Sequence, residues 1–239
     1  MAFIKLEDVT LDIPIFDSIE RSLRTHAINV FTGGKILNSF NKKMIIRALN
    51  EVNLDIREGD AVGLVGPNGS GKSSLLRVIS GIYKPTTGSV SVTGELRPLI
   101  SLGVGLEANL TGIDNIRRLG ALYGYKREII DDQLDQIVSF SGLGDFIELP
   151  VRTYSSGMVL RLMFSTLVTG NPDIVILDEF FSAGDEDFVK KSEKRMETLL
   201  DNAKILVFAS HSKSLVKNYC NRFIRMDSGK AIEIGLEEV

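Results

Sequence analysis

One run, Gly66-Pro-Asn-Gly-Ser-Gly-Lys-Ser73, restricts the possible folds of this chain more than any other segment. It leaves a short apolar run, Ala61-Val-Gly-Leu-Val65, and enters a segment, Ser73–Ser80, expected to be helical. The pattern G-x-x-x-x-G-K-[ST] between a strand and a helix is a phosphate cradle. Glycines leave room for backbone N–H groups to converge on phosphate oxygens, and the following helix turns its positive end toward them. Lys72 supplies a mobile charge for β- and γ-phosphates, and the Ser73 hydroxyl is a hard oxygen ligand for Mg²⁺. ATP with Mg²⁺ is therefore the expected ligand, held by Gly66, Pro67, Asn68, Gly69, Ser70, Gly71, Lys72, Ser73 and Ser74.

The surrounding pattern is that of an α/β protein. Residues 3–13, 47–56 and 89–93 alternate as strands, and Ile174–Leu177 and Ile205–Ala209 are short apolar strands separated by helical segments 157–168 and 186–200. Strands alternating with helices predict a layered core with parallel strands. Phe223–Asp227 and Lys230–Ile234 flank Ser228-Gly229 as an edge hairpin. Residues 95–156 change texture, with helix-like stretches at Asn115–Tyr125 and Lys126–Ser141, and read as an inserted helical lobe between core segments 1–94 and 157–239. Between the first two strands, Phe16, Ile19, Leu23, Ala27 and Val30 recur at helical spacing, an excursion where a hairpin connection would suffice.

A second group of polar residues completes the expected site. Ile174-Val-Ile-Leu runs into Asp178 and Glu179, so two carboxylates emerge at the end of a buried strand. Asp178 can hold the metal directly or through water, and Glu179 can polarise an attacking water. His211 follows the strand 205–209, where it can donate a hydrogen bond to a γ-phosphate; His26 is expected to be exposed. Tyr154-Ser155-Ser156-Gly157-Met158 stands ahead of an apolar helix as another helix amino end able to take phosphate oxygens. One site does not need two such loops, whereas two copies arranged head to tail would use both.

With these residues the chain resembles the ATP-binding-cassette ATPases over nearly its whole length. Ser155 and Gly157 match the serine and glycine of the family's signature loop, with Ser156 between them. Lys72 and Ser73 match its phosphate loop, Asp178 its metal acid, Glu179 its general base, His211 its switch histidine and Asp185 the acid of its dimer-interface loop. The resemblance implies a P-loop NTPase (RecA-like) core with an antiparallel β edge and an inserted α-helical subdomain, and ATP sandwiched between two subunits. The segment Leu102–Asn115, the Tyr154–Met158 form and Gly184–Phe188 with Lys190 and Lys191 are similar to polysaccharide exporters, including O-antigen, capsule and teichoic acid carriers. Such ATPases pair with a separate integral membrane permease, two copies of each, at the cytoplasmic face of the bacterial inner membrane, and move a lipid-linked polysaccharide.

Residues 14–45 resemble a membrane-proximal gate region, and from Glu20 to Arg47 positive charges exceed negative by five, which suits anionic headgroups. There are departures from the family pattern. The usual glutamine near the start of the 102–115 segment is missing, with Ser101 and Leu102 in its place, and Met158 replaces the signature's last glutamine. No aromatic is assigned to adenine; Phe40 and the Ile46–Arg47 pair are the neighbours available. Ending at Val239, the sequence is expected to carry no extra glycan-binding domain.

Bulk properties narrow the alternatives. A net charge of -3 gives no electrostatic case for nucleic acid, and no apolar stretch is long enough to span a membrane. A lone cysteine, Cys220, excludes an intramolecular disulfide framework. Two alternatives stay open: a cassette ATPase for another lipid or hydrophobic substrate, and a non-transport cassette acting on nucleic acid or the ribosome.

Overall fold

The computed structural model describes residues 1–15, 36–38, 44–100, 105–179 and 186–239. Expectations for Phe16–Val30, the bulk of the 14–45 excursion, Phe40, Ser101, Leu102 and Asp185 lie outside the described residues. The chain divides into two compact units, Met1–Leu96 with Asp173–Glu179 and Lys204–Val239, and Arg97–Pro172 with Phe180–Ala203.

The first unit contains two sheets. An antiparallel sheet has the order β2-β3-β1-β5, from β1 (Phe3–Ile15), β2 (Ile36–Asn38), β3 (Met44–Arg57) and β5 (Thr87–Thr93). The other has the order β10-β9-β4-β8-β7, from β4 (Ala61–Val65), β7 (Ile174–Asp178), β8 (Ile205–Ala209), β9 (Arg222–Asp227) and β10 (Lys230–Ile234), while β6 (Leu96–Leu99) has only Leu96 in this unit. Its β4, β7, β8 and β9 are parallel, and β10 adds antiparallel to β9. Ile174–Leu177 and every residue of β8 are buried, which explains their unbroken apolar runs: parallel strands covered on both faces have no solvent side to pattern. The helices of this unit are α1 (Lys72–Ile79) and the short α6 (Lys213–Tyr219).

In the second unit α2 (Gly112–Leu122), α3 (Arg127–Ser141) and α4 (Ser156–Leu167) share a core that includes Ile116, Ile130, Ile137 and Leu162. Thr111 caps α2 by accepting from the Asp114 amide, and its hydroxyl donates to the Asp114 carboxylate at 2.8 Å. Fully buried Asn115 donates to the carbonyls of Glu107, Leu110 and Thr111 and accepts from the Glu107 amide. One amide side chain therefore fixes the loop before α2. In the same unit α5 (Glu186–Asn202) contributes Phe188 to an aromatic trio with Phe140 and Phe164.

Candidate functional site

The parallel register lines up the expected site residues. Leu64 pairs with Ala209, and Ala209 pairs with Asp178, so the carboxyl ends of β4, β8 and β7 lie in one row. The phosphate loop leaves β4 just beyond this row, Glu179 follows Asp178, and His211 follows β8 by two residues. Ligands of open α/β sheets bind outside the carboxyl ends of such strands. The Glu179 amide donates to the Ala209 carbonyl at 2.8 Å, and His211 Nε2 lies 3.5 Å from Glu179 Oε1. Glu179 adopts φ 69°, a left-handed conformation uncommon for a residue with a side chain.

The loop itself is built for close approach. Gly66 and Gly71 have φ 144° and 109°, and a Cβ on Gly71 would stand 2.6 Å from the Ala48 carbonyl oxygen. A Cβ on Gly66 would collide with the Met226 carbonyl. Pro67, Asn68 and Gly69 are exposed, and Ser73 and Ser74 open α1, whose cap Gly71 has no side chain to satisfy the first helical N–H groups. Lys72 is buried and donates to the carbonyls of Gly66 at 2.7 Å and Pro67 at 3.0 Å. Burial lowers its pKa, opposed by the carboxylates of Asp178 and Glu179. Ser70 Oγ is buried without a hydrogen-bond partner among the described residues. An uncapped helix start, an orphan hydroxyl and a lysine borrowing its own loop's carbonyls together fit a triphosphate.

The donor set also fits Mg²⁺. Ser73 and Asp178 each carry a hard oxygen that could ligate it, and among the described residues no group of three or more His, Cys, Asp and Glu could hold a metal. Magnesium commonly takes one or two protein ligands with phosphate and water in its remaining positions.

Ser155 stands in the second unit as the N-cap of α4, where its Oγ accepts from the Met158 amide at 3.2 Å. Its proton remains available to a phosphate oxygen. Ser155 and Ser156 are exposed. Among the described residues a Cβ on Gly157 would meet only Ser155 Oγ, at 3.9 Å, and the residue has no left-handed φ. Neither its backbone conformation nor packing against the described residues requires glycine there.

The structure adds contacts that the sequence does not announce. The Gly229 amide donates to the Ser70 carbonyl at 3.0 Å, and the Asn50 amide donates to the Gly229 carbonyl at 2.9 Å. The β9–β10 turn therefore braces the phosphate loop, although its Ser-Gly sequence signals only a turn. Arg47 is committed to Asp12 through a bidentate pair of 2.8 and 3.0 Å, leaving Ile46, paired with Ile13, as aliphatic surface on the same strands.

Comparison with known proteins agrees with this arrangement. A family model described as ABC transporter matches residues 49–182. The chain is 39% identical over 237 residues to the O-antigen export system ATP-binding protein RfbE of Yersinia enterocolitica, covering 99% of both chains. It is 40% identical over 235 residues to the teichoic acids export ATP-binding protein TagH of Levilactobacillus brevis, covering 98% of this chain but 62% of that protein. A solved ATP-binding cassette, in a dimeric post-hydrolysis state bound to ADP and Pi, superposes with a TM-score of 0.66 at 23% identity over 98% of each chain. That likeness establishes the fold: a RecA-like core with a helical subdomain.

Proposed function

This chain belongs to the ABC transporter family, and from that premise we propose that it is the ATP-hydrolysing subunit of a polysaccharide exporter. It binds and hydrolyses ATP with Mg²⁺. The observation that carries the hydrolytic reading is the single row that puts the phosphate loop, Asp178, Glu179 and His211 at one edge of the sheet. In this reading Ser73 and Asp178 would hold Mg²⁺, which would supply positive charge to the triphosphate. Lys72 exchanges its two loop carbonyls for phosphate oxygens. Glu179 takes a proton from the attacking water, and His211, whose Nε2 lies beside the Glu179 carboxylate, donates to the γ-phosphate.

A second copy supplies Ser155, Ser156 and Gly157 to the same nucleotide. The space at Gly157, unused by the chain itself, supports that assignment: the missing side chain leaves room for a phosphate arriving from outside. Asp185 belongs to the facing loop of such a pair.

The glycan assignment is supported by relatives named for O-antigen and teichoic acid export. Among the described residues no helix is long and apolar enough to cross a membrane, so the translocation path comes from a separate integral membrane permease, two copies per ATPase pair. The working position is the cytoplasmic face of the bacterial inner membrane. Affinity purification from native membranes tests the whole reading. A multispanning protein retained together with a lipid-linked glycan is the expected result; a permease carrying a different lipid, or a ribosomal or nucleic-acid complex, overturns it.

A further inference from the structure

The second unit contains a polar cavity of about 400 Å³, none of whose lining residues is assigned to ATP. It is bounded by α3, the end of α4 and α5, and its polar lining includes Gln133, Gln136, Asn171 and Arg195. This volume falls in the range of small-molecule sites, roughly 300–1,000 Å³.

Arg195 makes the cavity unusual. The side chain is half-buried and has no carboxylate partner among the described residues. Its Nε donates to the Val168 carbonyl at 2.9 Å, and Nη2 donates to Val168 and Gly170 carbonyls at 2.7 Å each. These bonds cap the negative end of α4. A guanidinium has five N–H donors, and the two on Nη1 have no bond among the described residues. Burial lowers the pKa of Arg195, yet arginine remains charged, so a cation with spare donors lines a polar hollow.

The rest of the lining narrows the ligand. Among the described residues no acidic one lines the cavity, so an anion meets no direct opposition from them. Gln133, Gln136 and Asn171 each offer both a carbonyl and an amine, matching hydroxyl groups that donate and accept. The aromatic wall is not free for stacking. Phe140 has Phe164 stacked at a centroid distance of 6.2 Å and Lys191 Nζ 4.4 Å from its ring centroid. An aromatic or long-chain ligand therefore finds no platform. One remaining cationic edge favours a monoanion over a doubly charged phosphate.

We propose that this cavity binds a sugar acid, with its carboxylate on Arg195 Nη1 and its hydroxyls on Gln133, Gln136 and Asn171. The geometry fits a single uronate, free or as a residue of a longer glycan. This site is separate from ATP hydrolysis and does not depend on which substrate is exported.

The test is a titration of the full chain, nucleotide-free, with D-glucuronate, followed through the Arg195 Nε–H resonance. Loss of that resonance in Arg195→Lys assigns it. Glucuronate is expected to shift it saturably at millimolar concentration, with glucose and acetate at the same concentrations each shifting it at least fivefold less. Asn171→Asp, an exposed substitution that keeps the melting temperature within about 2 °C, places a competing carboxylate at the rim and should weaken glucuronate at least tenfold. No saturable shift, or an unchanged response in Asn171→Asp, overturns the proposal. Acetate acting as strongly as glucuronate also overturns it, and points to an acidic protein side chain as the occupant. If glucuronate is bound, oligoglucuronate chains then separate the two sources: tighter binding of the oligomer indicates a polymer residue, and binding of the monomer alone indicates a free sugar acid.

Discussion

Glu179, the proposed general base, sits at a backbone conformation that costs about 1–3 kcal/mol for a residue with a side chain. The bond from its amide to the Ala209 carbonyl fixes that conformation, and its carboxylate emerges beside His211. Replacing Glu179 with glutamine keeps the shape and removes the basic oxygen. ATP should still bind, because Lys72, Ser73 and the loop amides are untouched. Turnover should fall at least about 100-fold, the contribution of a positioned general base. Size-exclusion chromatography with ATP and Mg²⁺ should then show a persistent dimer retaining uncleaved nucleotide; normal turnover by this variant would remove Glu179 from the role of base. The identity of this residue was legible as an acid directly after a buried apolar strand. Its left-handed backbone was not, because nothing in the local sequence distinguishes φ 69° from an ordinary strand exit.

The phosphate loop depends on elements far from it in sequence, and the β9–β10 turn is the clearest case. Gly229 has φ 80°, and a Cβ there would stand 3.0 Å from the Ala48 carbonyl oxygen while the amide serves Ser70. Gly229→Val should therefore cost about 1–3 kcal/mol in urea unfolding and also weaken ATP binding. Gly81→Ala is the control. Its φ of 70° is equally left-handed, but no atom lies within 4 Å of the added Cβ, so it should cost about 1 kcal/mol and leave ATP affinity unchanged. Equal effects on ATP binding would show that the brace is unimportant. Local order made most elements readable in advance: β4, β8 and β10 match their expected bounds, and α1 starts at Lys72 rather than Ser73. The short β6 and α6 carry too few residues for a periodic signal, and a bond between residues 70 and 229 leaves no mark on either local pattern.

At the scale of the whole molecule, the residues proposed to serve the nucleotide, its metal and the attacking water are divided between the two units: Gly66–Ser73, Asp178, Glu179 and His211 in the first, Ser155–Gly157 in the second. In the proposed head-to-tail pair, each composite site joins the phosphate loop of one copy to the signature residues of the other, and this can be tested by complementation. Lys72→Ala should inactivate a chain by removing the phosphate cation, worth about 10–100-fold in binding for a charged hydrogen bond. Gly157→Asp should inactivate it differently, by projecting a carboxylate into the open space where a phosphate would enter; no described residue crowds Gly157, and an unchanged melting temperature would check that the variant folds. Each variant alone forms pairs with two defective sites. In a mixed pair, both lesions fall in one composite site and the other site is intact. Random mixing makes half of the pairs mixed, so hydrolysis should recover to about a quarter of the unmutated rate if the sites fire independently. Activity no greater than the average of the two variants, in a mixture shown by mass spectrometry to contain mixed pairs, would mean that the signature loop serves its own chain's nucleotide.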